Sequence, residues 1–147
     1  MTTVAACFSK KEIAADSMVS LESCCYSVIK LRRGAVSVFG AAGDWDACLK
    51  FLQALERDSL NDLETDISVL ELRKDGLWVY EGSIIPAQIK NDFYAIGTGA
   101  NFALAAMHMG ATPTQAVEIA CLYDPNSRGP IDTMFLGKTN VSKKNIG

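Results

Sequence analysis

The chain has 147 residues, which is enough for one domain with a single substantial core. Its 14 basic and 17 acidic side chains give a net charge of −3, too small and too mixed to favour a nucleic-acid partner. No apolar run approaches the roughly 18 residues of a transmembrane helix, and the start, MTTVAACFSKKE, lacks the basic and apolar regions of a signal peptide. We therefore expect one cytoplasmic domain over residues 1–147, with no membrane partner.

The chain up to Phe39 predicts strands separated by turns. Turns are expected at Lys10–Lys11 and at Arg33–Gly34. The segments on either side of the second turn form a predicted hairpin. The expected strands are Thr3–Phe8, Ile13–Asp16, Ser27–Arg32 and Ala35–Phe39.

The periodicity changes after Gly43, where Asp44 is suited to cap a helix. Apolar residues then recur at helical spacing and define one face of that helix. The residues of this face are Trp45, Cys48, Leu49, Leu52 and Leu55.

The middle of the chain predicts a loop and then more strands. Ser59–Thr65 is polar and is expected to be the loop. Ile67–Arg73 and Leu77–Glu81 flank Asp75–Gly76, which predicts a hairpin because both turn positions tolerate positive φ. Phe93–Ile96 is expected to be a short buried strand.

After Gly97-Thr98-Gly99 a nearly apolar helix is predicted, which runs through Met109 and stops at Gly110. Its only polar positions are Asn101 and His108, so most of its surface is expected to be covered. Either the following helix or a neighbouring subunit would supply that cover.

The last predicted helix begins with a capping box at Thr112 and Gln115, has Pro113 at its first position, and runs to about Tyr123. Pro130–Leu136 is expected to be a final strand. The core would then span about residues 2–136, with a frayed tail over 137–147. This order of elements favours an α+β fold in which two antiparallel sheets pack face to face with helices outside, a four-layer αββα sandwich.

Several kinds of site are disfavoured by missing residues. His108 is the only histidine, and in an apolar helix it is expected to be a core or interface residue rather than a catalytic base. The five cysteines follow no metal-binding spacing, and Cys24 and Cys25 are adjacent, so free thiols are expected. The chain contains no P-loop and no dinucleotide fingerprint. We expect no metal and no cofactor.

The N-terminus suggests a different chemistry. A threonine hydroxyl is a poor nucleophile unless a base takes its proton, and a free α-amine has a pKa of about 8, suited to that task. Removal of Met1, which aminopeptidases perform when the second residue is small, would give Thr2 both the nucleophile and the base.

Several segments together resemble the proteasome β-subunit and HslV family of N-terminal-nucleophile (Ntn) hydrolases. In that family the nucleophilic threonine opens the first strand, an aspartate ends the second, and a lysine lies on a following strand. The likeness extends from Thr2 to about Leu136. The matching segments are Thr2-Thr3-Val4, Ala14-Ala15-Asp16-Ser17, Val28-Ile29-Lys30-Leu31-Arg32, Phe39-Gly40-Ala41-Ala42-Gly43, Phe93-Tyr94-Ala95-Ile96-Gly97-Thr98-Gly99-Ala100 and Asp124-Pro125-Asn126-Ser127.

The resemblance implies a role for each matching site residue. Lys30 would stabilise the Thr2 alkoxide and lower the pKa of the amine, and Asp16 would keep Lys30 charged. The backbone N–H of Gly43 would donate to the developing oxyanion. A second set would hydrogen-bond the α-amine and its neighbours and so fix the orientation of the amine: Thr98, Asp124 and Ser127.

The sequence departs from the family pattern at three points. Thr98 replaces the usual serine, Arg128 replaces a glycine expected after Ser127, and the C-terminal region is short. These departures bear on catalysis rather than on the fold.

The resemblance implies a threonine peptidase that acts on peptides or unfolded proteins, as a homo-oligomeric ring with a possible ATPase partner. Two alternatives stay open. One is a catalytically silent subunit with a structural or assembly role, and the other is an Ntn amidase acting on a small-molecule amide.

Overall fold

The computed structural model describes residues 2–20, 23–57 and 66–137. The predicted loop Ser59–Thr65 and residues 138–147 of the predicted tail lie outside this part of the chain. The helices are α1 (Trp45–Glu56), α2 (Ala100–His108) and α3 (Pro113–Tyr123). The strands are β1 (Thr3–Cys7), β2 (Glu12–Ala15), β3 (Met18–Ser20), β4 (Cys25–Ser27), β5 (Leu31–Arg33), β6 (Val38–Ala42), β7 (Ser68–Arg73), β8 (Gly76–Glu81), β9 (Ala87–Ile89), β10 (Phe93–Gly97) and β11 (Asp132–Phe135).

The described strands pair into two main sheets and one separate hairpin, and every pairing is antiparallel. One sheet has the order β10-β1-β2-β11, the other has the order β5-β6-β7-β8-β9, and β3 pairs only with β4. In the first sheet Val4 of β1 lies opposite Ile96 on one side and Ala15 on the other. The start of the chain is therefore held in the interior of a sheet, which fixes the position of Thr2.

Alternate residues of the central strands enter different core clusters, because successive side chains of a strand point to opposite faces. Val4 and Ala6 pack with residues of both main sheets, whereas Ala5 packs with residues of α2 and α3. In β6, Val38 packs between the sheets and Phe39 packs with residues of α1. The fold is thus α+β, with antiparallel sheets and helices packed against them.

The ends of the helices follow the predicted capping. Asp44 caps α1 by accepting from the Ala47 amide at 3.1 Å. Thr112 and Gln115 form the predicted capping box of α3, with distances of 3.1 and 2.9 Å. These local signals were sufficient because each cap depends on residues at most three positions apart.

The prediction of a continuous strand over Ser27–Arg32 was wrong. β4 ends at Ser27 and β5 begins at Leu31, and the three residues between them lie in neither strand. The backbone leaves the ladder here while the Lys30 side chain is buried at a relative exposure of 1%. The predicted β5–β6 hairpin is confirmed, but its second strand begins at Val38 rather than at Ala35. The predicted elements did not include the separate hairpin of β3 and β4, and they did not include β9.

The following helix supplies much of the cover that was predicted for α2. Ala103 and Met107 are buried and pack with Ala116 and Val117 of α3. His108 was predicted to be a core or interface residue, and the core alternative was wrong, because His108 is exposed on the side of α2 away from that contact. The interface alternative stays a prediction. Among the described residues, no helix is both long enough and apolar enough to cross a membrane.

Candidate active site

The Lys30 ammonium connects the Thr2 hydroxyl to Asp16. Its Nζ donates to Thr2 Oγ1 at 2.9 Å, to Asp16 Oδ1 at 3.0 Å and to the Met18 carbonyl at 2.6 Å. These acceptors match the three N–H donors of an ammonium group. The three side chains come from the start of β1, the end of β2 and the segment before β5, so only the packed sheets bring them together.

Asp16 is held by backbone groups as well as by Lys30. Its carboxylate accepts from the amides of Thr3 at 3.1 Å, Met18 at 3.3 Å and Arg128 at 3.0 Å. Both members of the ion pair are almost fully buried, at 1% and 0% exposure. A buried charge is tolerated when it is paired and hydrogen-bonded, and this one meets both conditions.

A second network lies on the nitrogen side of Thr2. Thr2 N donates to Thr98 Oγ1 at 3.2 Å, and Thr98 Oγ1 donates to Asp124 Oδ2 at 2.7 Å. Ser127 Oγ donates to the same carboxylate oxygen at 2.6 Å. Because the Ser127 proton is thereby used, Thr3 Oγ1 is the donor in its 2.7 Å bond to Ser127 Oγ. Thr2 N is an amide while Met1 is attached, and it becomes the α-amine when Met1 is removed.

Gly43 occupies a position that favours glycine for two reasons. Its φ of +134° is strained for residues with a side chain, and a Cβ would lie 2.8 Å from Ile67 Cγ2. It joins β6 to α1 and lines the same cavity as Thr2 and Lys30. Its predicted function as an oxyanion donor stays a prediction.

Three solved structures resemble the chain over nearly its whole length. The BPH protein of Thiobacillus denitrificans in complex with epoxomicin gives a TM-score of 0.71 at 21% identity, over 92% of this chain and 100% of that chain. A second structure of BPH from Thiobacillus denitrificans gives a TM-score of 0.66 at 18% identity, over 95% of this chain and 99% of that chain. Eukaryotic HslV from Trypanosoma brucei gives a TM-score of 0.65 at 21% identity, over 90% of this chain and 97% of that chain.

The chain has an HslV-like fold. No family model and no curated protein matches its sequence. At 18–21% identity the likeness shows the fold and does not assign the activity.

Within this HslV-like fold the predicted site residues meet around Thr2 in two groups. Asp16 and Lys30 lie on its hydroxyl side, and the other group lies on its nitrogen side: Thr98, Asp124 and Ser127. Sequence reasoning missed the Met18 carbonyl and the Arg128 amide as partners of the ion pair. Both contacts use backbone atoms, so residue identity carried no signal for them.

A cavity of about 370 Å³ opens beside Thr2. It is lined by Thr2, Met18, Val19, Ser20, Tyr26, Lys30, Gly43, Asp44, Trp45, Asp46 and Leu49. No group of three or more histidine, cysteine or acidic side chains within the described ranges is placed to hold a metal ion. The groups around Thr2 that can take part in chemistry include its hydroxyl, the buried ion pair and the hydrogen-bonded carboxylate of Asp124.

The ionisable groups of the HslV-like site differ in how burial acts on them. Burial lowers the pKa of Lys30 below its ordinary value, and the charge of Asp16 offsets only part of that decrease. Burial raises the pKa of Asp124, but hydrogen bonds from Ser127, Thr98 and the Asn126 amide outweigh it, so the pKa falls below its ordinary value. Burial, with a smaller contribution from the Asp16 charge, raises the pKa of Asp132.

We expect Asp124 to make the protein less stable as the pH falls through its lowered pKa. Between that pKa and the ordinary value near 4, the unfolded chain binds more protons, so the free energy of unfolding rises with pH. The stabilisation is complete above about pH 4 to 5 and is lost below the folded-state pKa. In Asp124→Asn, the free energy of unfolding, measured with urea between about pH 2 and pH 6, should fall less steeply with decreasing pH than in the unmodified chain.

Asp132→Asn is the control of opposite sign. Because its pKa is raised in the folded state, the contribution of Asp132 is lost as the pH rises through that pKa. This variant should therefore gain stability relative to the unmodified chain towards neutral pH. If both variants changed the pH dependence in the same direction, the assignment of the two carboxyls would be wrong.

Proposed function

We propose that the chain is a threonine peptidase of the HslV-like type, in which Thr2 becomes the N-terminal residue after removal of Met1. The observation that carries this proposal is the 2.9 Å hydrogen bond from Lys30 Nζ to Thr2 Oγ1. It places a buried cation on the hydroxyl, while Thr2 N is bound by a separate network. A threonine with only a structural role at the end of a strand does not require separate partners for its hydroxyl and its nitrogen.

The proposed reaction begins when the Thr2 amine takes the proton of its own hydroxyl. Oγ1 then attacks the carbonyl carbon of a peptide bond, and the Gly43 N–H donates to the resulting oxyanion. When the C–N bond breaks, the ammonium returns its proton to the departing amine, and the acyl group stays on Oγ1 as an ester. A water molecule, deprotonated by the same amine, attacks that ester. When the ester C–O bond breaks, the ammonium returns the proton to Oγ1, so that the acid is released and Thr2 is regenerated.

The ion pair would serve the nucleophile by electrostatics. A cation hydrogen-bonded to Oγ1 favours the alkoxide over the hydroxyl and lowers the pKa of the nearby amine. Asp16 keeps that cation in place and offsets its burial. Thr98 would orient the amine, since its Oγ1 accepts from Thr2 N and donates to Asp124.

The proposal includes a four-layer αββα arrangement in one cytoplasmic domain. It is supported by three core clusters: one between the main sheets, one between α1 and the five-stranded sheet, and one between α2, α3 and the four-stranded sheet. By resemblance, unfolded protein would be the substrate, with a possible ATPase partner.

Intact mass spectrometry of the purified protein should show that Met1 is absent. A peptide epoxyketone such as epoxomicin should then add once to the chain, because it reacts with a neighbouring hydroxyl and amine together.

Thr2→Ala should keep the fold and lose both the adduct and the hydrolysis. Thr2→Ser should keep the adduct and part of the activity. Retention of Met1 in every preparation would favour the silent-subunit alternative.

Lys30→Ala and Asp16→Asn should each reduce turnover of a fluorogenic peptide by more than about tenfold, which is about 1.4 kcal/mol in the barrier. Because the two residues act as one unit, the double variant should be little slower than the slower single variant. Circular dichroism must first show that each variant is folded, since breaking a buried pair costs about 3–5 kcal/mol. Lys90→Ala, which removes an exposed lysine, should leave turnover unchanged. Additive losses would contradict a shared role.

The exposed apolar residues on α2 and α3 support a homo-oligomer. Phe102, Leu122 and Tyr123 are exposed at 40%, 71% and 65%, and the rings of Phe102 and Tyr123 lie 5.8 Å apart. Contiguous exposed apolar surface is typical of an interface.

Light scattering should therefore show a discrete oligomer well above the 15.9 kDa monomer. Leu122→Glu should dissociate it, because a carboxylate would be buried in the interface without a partner. Ile85→Glu is the matched control, since Ile85 is exposed at 76% in the loop between β8 and β9. Peptide hydrolysis at full rate by a monomer would contradict this assembly.

A further inference from the structure

The cavity beside Thr2 carries two carboxylates at its rim. Asp44 and Asp46 flank Trp45 at the start of α1, and both are exposed. Among the described residues that line this cavity, Lys30 is the one basic side chain, and its ammonium is bound to the buried Asp16. The positive charge of Lys30 is thus already paired with the carboxylate of Asp16.

The remaining charges leave the rim negative. The N-terminus of α1 contributes roughly half a positive charge, and the Asp44 side chain already occupies it by accepting from the Ala47 amide. Lys50 lies 3.6 Å from Asp46, but the two side chains are exposed at 70% and 78%, so this pair is weak. Because the helix N-terminus and Lys50 only partly offset the two carboxylates, the rim favours a cationic ligand and disfavours an anionic one.

The rest of the lining is apolar or aromatic. Met18, Val19 and Leu49 provide aliphatic surface, and Tyr26 and Trp45 provide rings. Lysine and arginine side chains combine a long apolar stem with a cationic end, so the stem packs on such surface while the end reaches a carboxylate. Cations are also attracted to the faces of aromatic rings. A leucine side chain matches only the apolar part, and a glutamate side chain is repelled by the rim.

We propose that this cavity binds the arginine or lysine side chain of the substrate residue whose carbonyl carbon Thr2 attacks. The inference rests on the proposed peptidase function, because Thr2 Oγ1 fixes where that carbonyl lies. The side chain of the attacked residue is nearest to the nucleophile and therefore enters the cavity that Thr2 lines. Asp44 and Asp46 are the specificity-determining residues, and Trp45 and Tyr26 hold the stem and the cation.

Paired peptides provide the test. Fluorogenic peptides that differ only at the residue before the cleaved bond are compared, with arginine, citrulline, leucine or glutamate at that position. Citrulline has nearly the shape of arginine without its charge, so the ratio of the two kcat/KM values isolates the charge. We expect arginine to exceed citrulline by more than about tenfold, with glutamate slowest. The ratio should fall as salt is raised, because exposed carboxylates are screened.

Neutral variants locate the effect. Asp44→Asn keeps a helix-capping side chain and removes the charge, and Asp46→Asn does the same one position beyond Trp45. Each should lower the ratio of arginine to citrulline cleavage, and the double variant should bring it close to one. Glu118→Gln removes an exposed carboxylate on α3 and should leave the ratio unchanged.

The outcomes separate this inference from the function on which it rests. Equal cleavage of the arginine and citrulline peptides, or a preference that survives in the double variant, overturns the inference while the peptidase stands. A chain that neither forms the epoxyketone adduct nor cleaves any of the peptides overturns both.

Discussion

The buried ion pair of Lys30 and Asp16 is the interaction on which the arrangement around Thr2 depends. Two opposite charges are held in the interior at a separation of 3.0 Å, and neither is exposed by more than 1%. Such a pair is stable only if its remaining donors and acceptors are bonded. The protein meets that requirement with the Thr2 hydroxyl, the Met18 carbonyl and backbone amides, so the electrostatics of burial determine which atoms surround the candidate nucleophile.

Irregular backbone on two sides of the site contributes to the same ion pair. The strand pattern stops between Ser27 and Leu31, and Lys30 in this break directs its side chain inward to Asp16. The segment after α3 returns to the same carboxylate through the Arg128 amide. Arg128 departs from the residue expected by resemblance, but its contribution here is a backbone N–H, which any residue other than proline would supply. The departure therefore leaves the support of Asp16 intact.

Thr2 is positioned by two networks that do not share a side chain. Lys30 acts on its oxygen, and Thr98 acts on its nitrogen through a hydroxyl that also contacts Asp124. The close passage of β10 depends on Gly97, where a Cβ would overlap the Thr2 carbonyl. Threonine in place of serine at position 98 preserves the hydroxyl that both contacts require. The two halves of the proposed chemistry, nucleophile and base, are thus held in place by different side chains.

Residues close together in the chain were enough to predict the local features: the helix caps at Asp44 and Thr112, the hairpin of β7 and β8 and the helical face of α1. The turn of that hairpin is Lys74–Asp75 rather than the predicted Asp75–Gly76, because Gly76 already pairs with Arg73 as the first residue of β8. The sequence also singled out the residues around Thr2, although through their order along the chain rather than through any one motif. Four features became apparent only in the folded structure: the partners of the ion pair, the break before β5, the exposure of His108 and the joining of Asp44 and Asp46 to the cavity of Thr2. These depend on backbone atoms and on contacts between distant segments, which residue identity and spacing do not encode.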